Sequence, residues 1–261
     1  MATLRDCIYG QAVGDALGVP FEFRERDTFE CTRMAGFGTH GQPAGTWSDD
    51  TSMALAICGS YREVGHIDTD DIRTRFLAWY RDGAYTCDGL FDIGNATARA
   101  LIAGHGLSGE RDNGNGSLMR TVSLAFFDVT DDAVRAISAI AHAHPTSTEA
   151  CVRMVHVAKA LADGMSVSDA VAMGGVDAKK PRSSISSGGY VLHTYEAALW
   201  CLANTSSYAE CVLAAVNLGD DTDTTAAVAG ALGGIVYGFD GIPSSWVDAL
   251  KGKDVIEACL P

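Results

Sequence analysis

Apolar residues recur at three- and four-residue steps along almost the whole chain, and period-two alternation is weak everywhere, with 123–127 its nearest approach. That periodicity belongs to helices rather than to half-buried strands. Helices are expected over about 3–17, 50–64, 70–82, 93–104, 131–143, 147–162, 189–203, 207–217, 222–237 and 245–250. The expected fold class is therefore all-α, a compact multi-helix single domain over 1–261. Many of the 29 glycines sit beside alanines inside apolar runs, which predicts helices that approach closely, because side-chain size sets the interaxial distance. Residues 24–47, 105–116 and 173–189 read as connections, and loops of that length in a helical protein often carry function.

Hydrophobic residues make up 47% of the chain and charged residues 20%, a balance that belongs to a folded chain and not a disordered one. No stretch reaches the roughly 18 uninterrupted apolar residues of a membrane span, and residues 1–18 lack a signal-peptide layout. The expectation is a cytoplasmic protein that is not bound to membrane and acts as a monomer. The eight scattered cysteines include no C-x-x-C pair, so they are expected to be reduced, small core residues. The net charge of −14 argues against a nucleic-acid groove, which needs a basic face. It also makes an anionic substrate awkward unless cations compensate.

Two helix starts carry an unusual density of oxygen ligands. In Trp47-Ser-Asp-Asp-Thr-Ser-Met, adjacent carboxylates open a segment that is apolar nearly all round. Capping accounts for one such residue at a helix N-terminus, but less readily for Ser48, Asp49, Asp50 and Thr51 together. In 220–225, three Asp and three Thr occupy six consecutive positions. Crowded buried carboxylates repel one another, and a hard divalent cation removes that cost, with Asp and Thr oxygens suiting Mg2+ or Mn2+. Two such termini face to face have the inventory to hold two metals about 4 Å apart, as in two-metal hydrolysis. Asp221-Thr-Asp-Thr-Thr also fits the D-x-D-x-T signature of haloacid-dehalogenase phosphatases. The buried strand that should precede that signature is missing here.

The ordered segments G-Q-A-V-G-D-A-L-G-V-P-F-E-F (10–23), W-S-D-D-T-S-M (47–53), G-N-G-S-L-M-R (114–120), H-P (144–145), S-G-G-Y-V-L-H-T-Y-E-A-A-L-W (187–200) and N-L-G-D-D-T-D-T-T-A-A-V-A-G (217–230) resemble the ADP-ribosylglycohydrolase family. The likeness is to the bacterial branch that includes dinitrogenase reductase-activating glycohydrolase. The resemblance implies two divalent cations, Mg2+ or Mn2+, at the base of an ADP-ribose cleft. It implies Ser48, Asp49 and Asp50 as one ligand group and Asp221, Asp223 and Thr224 as the other. Glu22 matches an acidic residue near the metals, acting in catalysis or in gating. Asn115, Gly116, Ser117 and Met119 match the loop around the ribose and diphosphate, and His144, Gly188 and Tyr190 match other parts of the cleft. Two positions depart from the family pattern: Ser48 stands where Thr is usual, and Asp220 stands where Gly is usual, adding a charge beside the ligands.

The expected reaction is hydrolysis of the bond between ADP-ribose and a modified acceptor, first of all ADP-ribosyl-arginine on a protein. Serine, nucleic-acid and small-molecule linkages remain open. Cleavage at an anomeric carbon needs an activated water, with Glu22 as first choice of base and Asp50 and Asp223 behind it. Backbone amides of 114–117 are expected to cradle the diphosphate. The alternative is a non-catalytic ADP-ribose-binding or structural relative of the same fold.

Overall fold

The computed structural model describes residues 1–261. Twelve α-helices follow in order: α1 (Leu4–Gly18), α2 (Asp49–Val64), α3 (Thr69–Asp82), α4 (Asn95–Ala103), α5 (Asp131–Ala139), α6 (Pro145–Ala162), α7 (Val167–Met173), α8 (Val191–Ala203), α9 (Tyr208–Val216), α10 (Thr222–Tyr237), α11 (Ser244–Ala249) and α12 (Lys253–Cys259). Six short 3-10 turns lie between them, and the only β structure is three isolated bridges. All eight cysteines are free thiols, seven of them buried. No helix is long and apolar enough to cross a membrane.

Helices α1 and α10 form the centre, and both are buried on every side over most of their length. Glycines four residues apart make this possible. A Cβ built on Gly10 would lie 2.3 Å from the Gly230 carbonyl oxygen, and one on Gly14 would lie 2.1 Å from that of Ala226. At the next step Gly18, the last residue of α1, meets Asp223 backbone in the first turn of α10. The Thr222 hydroxyl donates to the Gly18 carbonyl at 2.8 Å. The close packing that the small residues predict thus brings one acidic helix start against the end of α1.

Helix α1 also holds the other acidic start. Asp15, fully buried, accepts from the Ser48 amide at 2.9 Å, the Thr51 amide at 3.0 Å and the Thr51 hydroxyl at 2.6 Å. One turn earlier, Gln11 donates to the carbonyls of Asp50 and Met119 at 2.9 and 3.1 Å. One face of α1 therefore fixes α2, α10 and the 115–120 turn together.

The structure differs from the periodic reading in informative places. Helices α7 and α12, seven residues each, fall outside the expected windows; two turns give a 3.6-residue period little to register, although the six-residue α11 does overlap one. The 123–127 segment is a 3-10 turn spanning Val122–Phe126. Helix α5 stops at Ala139, four residues short of the expected end, because the chain turns and pairs with Leu107 through Leu107 N–H to Ala141 O at 2.8 Å and Ala143 N–H to Leu107 O at 2.7 Å. Helix α8 starts at Val191 because Tyr190 bridges to Gly114.

Because backbone rather than a movable side chain meets Gly14, Gly14→Ala is expected to lower stability by about 1–3 kcal/mol, the usual cost of overpacking. For a chain of this size that is a fall in melting temperature of about 2–10 °C. A thermal melt unchanged by the substitution would contradict the close approach of α1 and α10.

Candidate metal centre and cleft

Helix α2 is capped without its carboxylates. Ser48 is the N-cap and its hydroxyl accepts from the Asp50 amide at 3.4 Å, while Asp15 takes the Ser48 and Thr51 amides. The Ser48 hydroxyl donates to Asp50 Oδ2 at 2.9 Å, and Asp50 Oδ1 is buried with no partner. Asp49 points into the cleft instead. Capping, the ordinary explanation for acidic residues here, is already satisfied by other groups.

The start of α10 repeats the pattern. Asp221 makes no side-chain cap; its Oδ2 accepts from Asn115 Nδ2 at 2.8 Å and its Oδ1 is unpartnered. Asp223 Oδ1 accepts from the Thr224 amide at 2.9 Å, and its Oδ2 is likewise orphaned in the interior. The Thr224 hydroxyl reaches Asp50 Oδ2 at 3.4 Å, so the two starts touch. Carboxylate oxygens of Asp15, Asp50 and Asp223 lie within 4.8 Å of one another, as do those of Glu22, Asp221 and Asp223.

This crowding shows in the acidities. Burial, and then neighbouring carboxylates, hold Asp49, Asp50 and Asp223 well above the usual carboxylate range. Glu22 is pushed up to about 9 by burial and then by Asp92, Asp221 and Asp49. Asp15 rises only to about 6, because its hydrogen bonds from Thr51 and Ser48 oppose the effect of burial. Three orphaned buried oxygens converging with hydroxyls form a hard, all-oxygen donor set, which is what a divalent cation of the Mg2+ or Mn2+ type requires.

A cleft of about 370 Å³ opens from this floor. Its lining joins the acidic residues Glu22, Asp49, Asp92 and Asp221 and the ring of Phe23 to Arg111, Gly114–Gly116, His142 and Gly189, with Asn115 and Gly189 directly against Asp221. The 113–116 and 189–191 segments are zipped together by Asn115 N–H to Gly189 O and Val191 N–H to Asn113 O, both 3.0 Å. The Asn115 amide is thus committed within the protein, and any diphosphate cradle falls to the other amides of the loop. Arg120, fully buried, donates to the Gly116 carbonyl at 2.8 Å and lies over the Phe76 ring, so it braces the loop from behind.

The expected nucleotide-side residues divide. Asn115, Gly116 and Met119 line the cleft, whereas the Ser117 hydroxyl is buried behind the loop and accepts from the Cys151 thiol at 3.4 Å. Gly189, rather than Gly188, faces the cleft. Tyr190 stands exposed at the rim, edge-on to His193 at 5.1 Å. His144 is not in the cleft; it caps α6, accepting from the Thr146 amide at 3.2 Å. The cleft histidine is His142, buried, with its pKa driven down to about 3 by burial and then by Arg120, and hence neutral. The histidines stand two apart, and the cap geometry of Pro145 at N1 selects His144 for structure.

Four further residues escape a reading of the sequence. Asp15 carried a signal, a carboxylate in a helix apolar on all sides, which has to be paired when buried. His40 and Asp92 come from irregular loops and carried none, yet they form a third close group with Glu22. His40 Nε2 is hydrogen-bonded to Glu22 Oε2, and Thr39 holds the same loop through its hydroxyl to the Glu22 carbonyl at 2.7 Å. Gln11, the fourth, acts through its side-chain amide on the backbone carbonyls of Asp50 and Met119.

Asp220 has a backbone explanation. Its φ is 59°, in the left-handed region, where Gly is easiest and Asp is among the tolerated alternatives. Its side chain is exposed and its charge acts on Arg26, so the expectation of a charge crowding the ligands does not hold.

Carboxyl groups with raised folded-state pKa contribute stability that is present below their unfolded values, near 4, and is lost as pH rises through the folded values. For Asp15 and Glu22 those are about 6 and about 9. In chelator the melting temperature is therefore expected to fall from pH 5 to pH 9. Saturating Mg2+ or Mn2+ should flatten the fall, since the cation takes up the charge. Parallel curves with and without the cation would speak against a metal at this cluster.

The family model for ADP-ribosylglycohydrolase matches residues 2–260. The chain is 34% identical to the ADP-ribosylarginine hydrolase Tri1 of Serratia proteamaculans, over 97% of this chain and 76% of that one. It is 30% identical to the ADP-ribosyl-[dinitrogen reductase] glycohydrolase of Rhodospirillum rubrum, over 94% and 88% respectively. A solved structure of an ADP-ribosylglycohydrolase-related protein complex superposes with a TM-score of 0.84 at 32% identity, covering 98% of this chain and 94% of that one. With a match this complete and the acidic helix starts meeting on the cleft floor, the chain belongs to the ADP-ribosylglycohydrolase family.

Proposed function

We propose that this chain, as a single domain and a monomer, removes ADP-ribose from arginine side chains of modified proteins, with two Mg2+ or Mn2+ ions at the cleft floor. Membership in the family makes it an ADP-ribosyl hydrolase. The arginine acceptor is supported by relatives named for ADP-ribosylarginine and for dinitrogen reductase. The observation that carries the metal reading is the set of orphaned oxygens, Asp50 Oδ1, Asp221 Oδ1 and Asp223 Oδ2. Ser48, Asp49, Asp50, Asp221, Asp223 and Thr224 would hold the ions, which when bound supply positive charge for ribose hydroxyls and a water of lowered pKa.

The protein's own groups do the rest. Glu22, buried and joined to His40, is the carboxylate we assign to accept a proton from the attacking water. Its raised pKa falls once the neighbouring negative charge is compensated, which returns it to the base form. Asp50 and Asp223 are the second choices for this role. Neutral His142 and the Gly114–Gly116 backbone offer hydrogen bonds to the nucleotide without adding negative charge. Burial of the floor keeps the reacting geometry fixed, and fixed geometry is itself a large part of such a barrier.

Asp221→Asn is expected to abolish release of ADP-ribose from ADP-ribosyl-arginine peptide, with the far-UV circular dichroism of the parent. Full activity in that variant, or after exhaustive chelation, would overturn the metal role. On the nucleotide side, His142→Ala should raise KM roughly five- to thirtyfold, the loss of about one to two hydrogen-bond equivalents. His144→Ala should chiefly lower the melting temperature, since its side chain caps a helix. Steady-state kinetics and melts on the two variants separate these roles, and the reverse pattern would return His144 to the cleft.

A further inference from the structure

Phe23 sits at the cleft mouth in a conformation that needs an explanation. It follows Glu22 directly, yet Glu22 is 5% exposed and Phe23 is 70% exposed. Its φ is 63°, a left-handed value that a bulky residue adopts only when its surroundings impose it. A reciprocal backbone pair imposes it here: Phe23 N–H donates to Asp220 O at 2.7 Å and Asp220 N–H donates to Arg24 O at 2.9 Å. Asp220 is itself left-handed, so two strained residues lock each other and hold the ring outward.

The neighbours of the ring define what it can meet. Its centroid is 6.1 Å from the His40 imidazole, which in turn is 5.4 Å from Phe91. Beneath this aromatic row lie the carboxylates of Glu22 and Asp92, grouped with His40. Other aromatic rings of the chain are covered by its own arginines, both near Phe23 and at the far end of α1. Phe21 and Phe29 stack at 4.8 Å with the Arg24 guanidinium 5.0 Å over Phe29, and Arg5 lies over Tyr9 and Phe239 at 4.7 and 4.4 Å. No arginine of the chain lies over Phe23.

On the functional reading above, the diphosphate lies toward the backbone loop and the scissile bond lies over the carboxylates, so Phe23 is on the acceptor side. We infer that the Phe23 face is an acceptor subsite that selects a planar guanidinium, the end of an arginine side chain. A guanidinium is weakly hydrated, stacks on an aromatic face and pairs with carboxylates at its edge. This mouth offers both surfaces at once. A seryl acceptor brings neither charge nor plane and gains nothing from the ring. The inference rests on the arginine-hydrolase reading for the direction of the substrate, but not for the guanidinium chemistry of the surface.

The test is binding to the protein loaded with Mg2+ and ADP-ribose, by calorimetry, using Nα-acetyl-arginine methylamide and Nα-acetyl-serine methylamide as probes. The arginine probe is expected to bind and the serine probe not to. Phe23→Ala should weaken the arginine probe roughly two- to thirtyfold, the range of one cation–π contact, and Phe23→Trp should retain it. ADP-ribose affinity should stay the same in both variants. Equal binding of the arginine probe to the parent and to Phe23→Ala, or no binding to either, overturns the subsite. A parallel loss of ADP-ribose affinity overturns it as well, by placing Phe23 on the nucleotide side. Cleavage of ADP-ribosyl-arginine by a protein that fails to bind the probe leaves the function standing and removes the subsite. Phe23-dependent probe binding without cleavage does the opposite.

Discussion

The backbone-to-backbone contact of α1 with α10 is the constraint on which the site depends. Gly10, Gly14 and Gly18 let α10 approach until carbonyl oxygens occupy the space of missing side chains. Only at that separation does the first turn of α10 reach the end of α1, and only there do Thr224 and Asp50 come within 3.4 Å. The same helix ties down α2 through Asp15 and Gln11. The carboxylate cluster is thus assembled by a scaffold of dispersion and hydrogen bonding that has no charge pairing in it. Interiors packed at crystal density transmit small displacements, so the clustered carboxylates are as precisely placed as the glycine contact beneath them.

That division of labour explains how so many acids share one interior. Unpaired buried carboxylates oppose folding, and here Asp49, Asp50, Asp221 and Asp223 all face that cost. The chain carries it with a wide apolar core running from Cys7 to Cys259. Asp15 differs from the others because three donors satisfy it, which marks it as a structural acid that organises the functional ones. The chain carries a net charge of −14, and Glu22, Asp49, Asp92 and Asp221 bring part of its acidity into the cleft. The rest of the lining presents backbone, a neutral imidazole and Arg111.

Most of the architecture was legible because helix periodicity is a long-range pattern, and ten windows located ten helices. The two that were missed are one to two turns long. The two acidic starts were visible as chemistry that capping could not fully absorb, and their convergence was foreshadowed by the small residues on α10. What could not be read was anything set by loop conformation. His40 and Asp92 reach Glu22 from irregular segments whose path no local pattern fixes. His142 and His144 stand two apart; Pro145 marks His144 as the cap of α6, and the turn at 139–143, held by Leu107, carries His142 to the cleft. Asp220 was noticed as a misfit, but the reason lay in a dihedral angle. Helix limits erred at Ala139 and Val191, where the chain leaves regular structure to build the cleft walls.

One hydrogen bond joins the two halves of the site. Asn115 Nδ2 donates to Thr194 and to Asp221 Oδ2, both at 2.8 Å, so a residue of the 114–117 loop is anchored on an acid of the carboxylate cluster. Any displacement of Asp221 is felt by Asn115, and any tightening of the loop is felt by Asp221. Binding at the two ends then draws on a shared free energy, and linkage makes the coupling equal in both directions. On the proposed reading the cleft works as a balance: ions on the floor would set how firmly the loop is held, and a ligand on the loop would set how firmly the floor keeps its ions.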